Sequence, residues 1–338
     1  MAPTKGLLAW ILTGLTIFTT LVDANTLPTR NCFGDPVAVS RNTYITDIFV
    51  IGADGLVYTG SLMPGDVHYG GYWTIPGFQI VPCAPMAAMS HTVNHLDVFA
   101  IGKDKRIFPA SREPDFGSWH GVSAISRAMG HIDLFVVGTD SLVYSASWTL
   151  GGWSFWHAIG NTKMSPTGTI SATSRAPDFM DIFAVDTGGN GWWPVAGDKT
   201  NTGFVSSVSR SLDKLDVFTI GADNRAYTAA WEPGFNGFHG WWLIDVTLAF
   251  PAGTSITAIS QTTDALTLFF AKRADLSFNS WSPASGAWDR WTSILANEGV
   301  RQKIAAVSMF PGRVDIVGKV QIANPGGQTF SDSWRLDA

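Results

Sequence analysis

A short phrase of small residues ending in serine occurs seven times along the chain, and it constrains the fold more than any other feature. In six copies an aspartate stands seven residues after the serine, at the start of an apolar run, and in the sixth copy Thr267 takes that place. The copies lie 35 to 51 residues apart, a period typical of architectures that stack one supersecondary unit. The phrases end at Ser40, Ser90, Ser126, Ser174, Ser209, Ser260 and Ser308.

The fifth copy shows what one repeat builds. Residues 206–210 are followed by two runs rich in β-branched and aromatic residues, 215–221 and 225–231, and by a further run at 240–244. Asp223 and Asn224 separate the two central runs, and such a pair predicts a β-hairpin. Four short strands per repeat are typical of a β-propeller blade. The sequence therefore predicts an all-β, seven-bladed β-propeller that forms one domain over residues 25–338.

The size of the side chains predicts the order of the strands within a blade. The second residue of the phrase is alanine in six copies and Ser207 in the fifth, so we expect this strand to be innermost, where side chains crowd around a central channel. The tryptophan-bearing runs then lie toward the rim. Copies 2, 4 and 7 are short and predict abbreviated blades, and we expect residues 25–36 to supply a strand that closes the ring.

An arginine and an aspartate vary together between the copies. Four copies have arginine directly after the phrase and aspartate six residues later, whereas the sixth has Gln261 and Thr267. We interpret the pair as a hydrogen-bonded brace of the turn between the first and second strands, with a structural rather than a catalytic role. The arginines are Arg41, Arg127, Arg175 and Arg210; the second copy has His91 with Asp97, and the seventh, with Met309, does not fit.

The N-terminus predicts export. Lys5 precedes an apolar stretch without charge, and small residues end the segment at Ala24, as in a secretory signal peptide. A membrane anchor is the alternative, but four threonines and one glycine interrupt the stretch. We therefore expect residues 1–24 to be a cleaved signal and the protein to be secreted.

The composition of the chain limits the classes of binding partner that we expect. The formal net charge is −5, only 14% of residues are charged, and no run of lysine and arginine occurs. Such a chain is not expected to bind nucleic acid or to insert into a membrane. No motif predicts a metal site or a cofactor. Cys32 and Cys83 occupy nearly equivalent places in neighbouring repeats and predict a disulfide in an oxidising compartment, with two buried free cysteines as the alternative.

The aromatic residues have two interpretations. Fifteen tryptophans and few charges are consistent with large rings packing between blades, and we assign most of them there. They are also consistent with sugar binding, because the apolar face of a pyranose stacks on an aromatic ring. In two copies a tryptophan follows the hairpin aspartate by eight residues, Trp148 after Asp140 and Trp231 after Asp223.

These residues carry a resemblance to a known family. The segment 208–244, and more loosely 125–159, resembles the repeat of the PLL-like lectins, a Photorhabdus-type family of seven-bladed propellers. The resemblance covers about residues 33–338. It implies binding of fucose or O-methylated sugars in shallow pockets between blades. Leu62 and Arg112 replace the tryptophan in the first two copies, so two or three competent pockets are expected, and assembly into a homo-oligomer would then supply avidity.

We expect the ligand-binding residues to be aromatic residues of the outer strands with one neighbouring histidine. They are Trp148, Trp156, Trp231, Trp241, Trp242, Trp281, Trp291 and His239.

Two alternatives remain open: a protein-interaction platform and a glycosidase or sialidase. Glycoside hydrolysis needs a pair of carboxylates with distinct roles. The chain has three glutamates, Glu113, Glu232 and Glu298, and its aspartates mostly repeat with the blades. A residue repeated in each blade serves the blade, so we expect a binding protein without a catalytic site.

Overall fold

The computed structural model describes part of the chain in detail. The described residues are 11–12, 15–21, 35–52, 54–63, 66, 73–76, 79–81, 84–103, 107–108, 121–165, 168–189, 195, 201–251, 254–272, 275–295, 300–308, 313–321 and 329–337. They form 27 strands in seven sheets, with no helix among them. The protein is all-β and adopts a β-propeller arrangement. Cys32 and Cys83, the predicted disulfide, lie outside the described residues.

The strands follow the repeats of the sequence. The chain begins with β1 (Ile11–Leu12) and β2 (Leu15–Leu21). Sheet 1 contains β3 (Val37–Asn42), β4 (Ile45–Ile51), β5 (Val57–Leu62) and β6 (Trp73–Ile75), and sheet 2 contains β7 (Met86–Met89), β8 (Asp97–Ile101) and β9 (Ile107–Phe108). Sheet 3 contains β10 (Val122–Ile125), β11 (Ile132–Val137), β12 (Val143–Thr149), β13 (Gly152–Trp153) and β14 (His157–Ile159).

The second half continues the pattern. Sheet 4 contains β15 (Ile170–Thr173) and β16 (Asp181–Ala184), and sheet 5 contains β17 (Asn201–Ser211), β18 (Lys214–Gly221), β19 (Ala226–Trp231) and β20 (His239–Leu243). Sheet 6 contains β21 (Thr257–Ile259), β22 (Leu266–Lys272), β23 (Asp275–Trp281) and β24 (Thr292–Leu295). Sheet 7 contains β25 (Val300–Val307), β26 (Arg313–Gln321) and β27 (Thr329–Asp337), with β2 and β1 added beyond β27.

The first strands of successive sheets contact one another in a closed circuit. This circuit runs through β3, β7, β10, β15, β17, β21 and β25 and returns to β3. Side chains link these strands: Ser207 donates its backbone N–H to the Ser171 hydroxyl at 3.1 Å, and Ala172 donates its N–H to the Ser123 hydroxyl, also at 3.1 Å. The small residues of the repeated phrase permit this close approach, as the sequence predicts.

Hairpins between the second and third strands set the register. Asp140 accepts a hydrogen bond from the backbone N–H of Leu142 at 3.0 Å and one from the Tyr144 hydroxyl at 2.8 Å. The residue after the aspartate has a positive φ, 68° at Ser141 and 62° at Asn224, which matches the turn chemistry of the predicted hairpins. This register ends the third strand opposite the start of the second.

The core lies between the sheets and is centred on the second strands. Six of them bury a phenylalanine nine residues after the repeated serine, and in sheet 7 Val317 takes the equivalent place. The phenylalanines, all 8% exposed or less, are Phe49, Phe99, Phe135, Phe183, Phe218 and Phe269. Apolar contacts therefore hold each sheet against both of its neighbours. The polar residues of the repeat, in the braces and the hairpins, lie toward the edges of the sheets.

Sheet 7 differs from the sequence expectation for ring closure. Strand β2 pairs antiparallel with β27 from Thr16 opposite Asp337 to Leu21 opposite Asp332, so it takes the place of a fourth strand. Residues 22–34, most of the segment expected to close the ring, lie outside the described residues. Strand pairing does not test proteolytic processing, so the cleaved signal at residues 1–24 stays a prediction.

Candidate functional site

The predicted arginine and aspartate braces are present in the structure. Arg127 Nε lies 3.1 Å from Asp133 Oδ2, and Arg175 Nε lies 3.0 Å from Asp181 Oδ2. Arg41 and Asp47 form the same ion pair in sheet 1. The aspartate begins or lies within the second strand, and the arginine lies near the end of the first strand or follows it, so each brace ties the turn between them. The predicted pairs are therefore present, and the interpretation that their role is structural rather than catalytic stays a prediction.

The two variant braces keep the geometry with other groups. His91 Nδ1 lies 2.5 Å from Asp97 Oδ2 in sheet 2. In sheet 6 the Gln261 amide donates to the Thr267 hydroxyl at 2.8 Å, which preserves the contact without charge. Charge in the brace is therefore a variable property, whereas a polar contact across the turn is kept in these six sheets.

The brace of sheet 5 is the most elaborate. Arg210 Nη1 donates to both Asp216 oxygens, at 2.5 and 2.7 Å, and Arg210 Nη2 donates to Glu232 Oε2 at 3.1 Å. Asp264 of sheet 6 approaches Arg210 Nε at 3.6 Å and accepts from Lys214 Nζ at 2.9 Å. Two cations thus face three carboxylates across the boundary between sheets 5 and 6.

Burial controls the titration of this cluster. Desolvation raises the pKa of Asp216 to about 6, and Arg210 offsets only part of that effect. Desolvation likewise raises the pKa of Asp181, against the influence of Arg175. The pKa of the half-buried Asp264 shifts the opposite way: hydrogen bonds from Lys214 and Ser211 lower it.

A tryptophan of the following sheet lies against the basic side chain of the brace at three boundaries between sheets. The Trp231 ring lies 4.1 Å from the Arg175 guanidinium carbon, and the Trp281 ring lies 5.6 Å from that of Arg210. The Trp148 ring centroid lies 5.6 Å from that of His91. Both arginine contacts are within the range of cation–π attraction. These three pairs of a tryptophan with an arginine or histidine are called the boundary sites below.

Strand register explains why these tryptophans reach the neighbouring sheet. Each ends a third strand and pairs with the beginning of the second, Trp148 with Ile132, Trp231 with Leu215 and Trp281 with Leu266. The turn between the first and second strands lies at the same edge, and the brace is tied to that turn. Ring and cation therefore meet at one edge of the propeller, here called the turn edge.

The other sequence-predicted site residues lie elsewhere. Trp156 is partly buried against the core between sheets 2 and 3, and Trp241 against that between sheets 4 and 5. Trp291 packs against Phe250 and Phe270 at centroid distances of 5.6 and 4.8 Å. The structure thus places these three rings in inter-sheet packing.

Two candidates lie on the outermost strand of sheet 5. Trp242 is 51% exposed, and His239 stacks on Phe235 with ring centroids 4.2 Å apart. A bulge in this strand depends on Gly240, whose φ is 116° and where a Cβ would meet the Thr228 carbonyl oxygen at 2.8 Å. Neither Trp242 nor His239 contacts a brace in the interactions that the structure records.

Sequence reasoning missed that the brace side chains and Glu232 lie beside candidate tryptophans. It considered each brace within its own repeat and treated Glu232 only as part of a turn. The signal was available in the spacing: one residue after the phrase for the cation, and eight after the hairpin aspartate for the tryptophan. Combining these spacings with antiparallel register would have placed both groups at one edge.

Exposed apolar side chains also lie on the turn edge. They occupy the turns between the first and second strands: Tyr44, Val93, Met129, Phe179 and Leu212, with exposures from 53% to 82%. Phe179 also flanks Arg175, with 5.2 Å between the guanidinium carbon and the ring centroid. Arg175 is thereby held between two aromatic rings.

The described residues contain neither a membrane-spanning helix nor a metal-binding cluster. No helix there is long and apolar enough to cross a membrane. No group of three or more histidine, cysteine, aspartate and glutamate side chains there is placed to hold a metal ion. Glu113 and Glu298, two of the three glutamates considered for an enzyme, lie outside the described residues.

Comparison with known proteins shows the fold. No family model and no curated protein matches the chain. The BP39L lectin from Burkholderia pseudomallei is similar with a TM-score of 0.73 at 17% identity, over 90% of this chain and 98% of that one.

Two other solved structures are similar over most of their length. A triple arginine-to-alanine mutant of AofleA from Arthrobotrys oligospora has a TM-score of 0.54 at 13% identity, over 95% of this chain and 87% of that one. The fucose-specific lectin from Aleuria aurantia has a TM-score of 0.50 at 14% identity, over 91% and 94%. At these sequence identities the similarity shows the fold alone.

Proposed function

We propose that this protein is a secreted lectin that binds glycans at the boundary sites and has no catalytic site. The observation that carries the proposal is the recurrence of a tryptophan from one sheet against the basic side chain of the preceding sheet, at Trp231 with Arg175, Trp281 with Arg210 and Trp148 with His91. A ring, a hydrogen-bond donor and a carboxylate thereby lie together three times at the turn edge.

This combination has the chemistry that a sugar requires. The half-buried tryptophan offers an apolar surface for the ring or methyl group of a pyranose. An arginine N–H can donate to a hydroxyl, and a carboxylate such as Glu232 can accept from a neighbouring one. The apolar turn residues around these groups favour a sugar with a methyl group.

We further propose that the seven sheets are the blades of a complete seven-bladed propeller of the PLL-like type. The closed circuit of first strands and the seven sequence repeats support this number. Fucose and O-methylated sugars are the proposed ligands; the resemblance of the repeats favours them, as does the similarity to lectins, one of them named as fucose-specific.

A glycan array and a fucose titration test the proposal. We expect fucosylated or methylated glycans to bind the wild-type chain, and the triple variant Trp148→Ala, Trp231→Ala, Trp281→Ala to lose that binding. Trp73→Ala is the matched control, because Trp73 is 55% exposed but lies on the outer strand of sheet 1. Equal binding by the triple variant and the control would contradict the assignment of the sites.

A protein-interaction platform is the second candidate, favoured by the exposed apolar residues of the turn edge. Contiguous exposed apolar surface commonly marks a partner surface. If the array is blank, replacing Met129 and Leu212 by aspartate should abolish association with a partner protein. Retention of association in that double variant would exclude the turn edge as the platform.

A further inference from the structure

A cavity of about 390 Å³ lies between sheets 4 and 5, behind the boundary site of Arg175 and Trp231. Its volume is within the range of small-molecule pockets, ~300–1,000 Å³. Strand β16 forms one wall. Sheet 5 forms the other, with side chains from β17, from β18 and from the segment that includes β20. The residues that matter below are Asp181, Phe183, Asn201, Val205, Phe238 and Trp241.

A difference in side-chain size explains why space remains at this boundary. At two other boundaries the second-strand phenylalanine meets a tryptophan of the next sheet edge-on at 5.9 Å, Phe99 with Trp153 and Phe218 with Trp288. At this boundary Phe183 meets Phe238 in the same geometry at 5.7 Å. The smaller phenylalanine ring stands where the repeat elsewhere places an indole.

The lining is apolar apart from a few groups. Asn201 Oδ1 is buried and has no hydrogen-bond partner among the described residues. A buried acceptor without a donor is unfavourable, so a ligand that donates to this oxygen gains free energy beyond apolar contact. Asp181 also faces the cavity, but its carboxylate is paired with Arg175. The wall thus offers an acceptor together with an existing negative charge.

We propose that this cavity is a second binding site, for a neutral aromatic molecule that carries an N–H or O–H donor. Phe238 and Trp241 contact its rings, and the donor bonds Asn201 Oδ1. A sugar does not suit the site, because most of its hydroxyls would be buried without partners. An anion is disfavoured beside Asp181. This site is independent of the boundary sites proposed for glycans.

Fluorescence of N-phenylnaphthylamine tests the proposal, since this probe is neutral and has one N–H donor. We expect saturable enhancement at one probe per chain in the full-length protein. Val205→Phe should weaken binding about tenfold by filling the cavity. Val208→Phe is the matched control, because Val208 lies on the same strand but packs toward sheet 6. Equal affinities of these two variants, or enhancement that does not saturate, would overturn the proposal.

A second comparison remains informative if Val205→Phe does not fold. The wild-type chain should bind N-phenylnaphthylamine about fivefold more tightly than its N-methyl derivative, which lacks the donor. In Asn201→Val this preference should disappear. The sulfonated analogue of N-phenylnaphthylamine, anilinonaphthalenesulfonate, should bind the wild-type chain more weakly than the neutral probe does. Persistence of the donor preference in Asn201→Val would remove Asn201 from the site, and an equal affinity for the anion would contradict the role of Asp181.

Discussion

The braces and the tryptophans that cover them are neighbours in space but follow different rules. A polar contact across the first turn is present in each sheet from Arg41 and Asp47 in sheet 1 to Gln261 and Thr267 in sheet 6. The covering tryptophan occurs at three boundaries between sheets in the described part of the chain, and Leu62 occupies its place in sheet 1. The brace contact is thus kept from sheet to sheet, whereas the residue at the position of the covering tryptophan varies.

The difference separates stability from binding. A brace aspartate such as Asp133 is fully buried and fixed by its own sheet. Trp231 contacts the cation of another sheet and is only partly buried against the core, so its replacement should lower stability far less than that of a fully buried ring. Substitutions in the core and the braces should therefore change stability, and substitutions of the covering rings should change affinity.

The largest effect is expected in the core. Phe218→Ala removes a fully buried ring that contacts Trp288, and we expect a loss of about 3 to 5 kcal/mol in the free energy of unfolding. Urea denaturation measures it. Phe155→Ala, at a ring that is 90% exposed, is the control and should change stability little. Equal effects of the two substitutions would break the distinction between core and surface.

The next effect concerns the buried carboxyl of Asp216. Its pKa of about 6 lies above its usual value, so the folded state binds this proton more tightly and the group's contribution to stability falls as pH rises from about 4 to 6. The difference in unfolding free energy between the wild type and Asp216→Asn should therefore fall by about 2 to 3 kcal/mol across this window. A difference that rises with pH would show that Arg210 dominates over burial.

A charged brace can be rebuilt in sheet 6. Thr267 is buried, so Thr267→Asp alone should destabilise the protein by introducing a charge without a partner. Adding Gln261→Arg should recover stability, with a coupling energy of about 1 to 3 kcal/mol in the double-mutant cycle. Thermal unfolding of the four proteins measures it. Strict additivity would mean that the turn of sheet 6 no longer has the brace geometry of the other repeats.

Much of the fold could be predicted because its determinants are local and repeated. The serine phrase, the hairpin aspartate and the brace each lie within 14 residues of the next, so one copy predicts the others. The boundary sites could not be read in the same way, since Trp231 and Arg175 belong to different sheets and are 56 residues apart. Spacing within a repeat does not show which face of a strand meets the next sheet, so Trp241 and Trp291 were grouped with rings that reach the turn edge.

The cavity between sheets 4 and 5 also could not be predicted from the sequence. It depends on Phe238 taking a place that Trp153 and Trp288 hold elsewhere, and the repeat treats these residues as equivalent aromatics. Their difference in volume becomes meaningful only when the opposing wall is known.

The most direct measurement of the central claim is a calorimetric fucose titration of Trp231→Ala with thermal unfolding of the same sample. The account predicts that one equivalent of sugar per chain is lost, while the free energy of unfolding falls by only about 1 kcal/mol, as expected for a ring that is partly buried at the margin of the core. Unchanged stoichiometry and affinity in a folded variant would contradict the claim that tryptophans covering the brace cations bind the sugar.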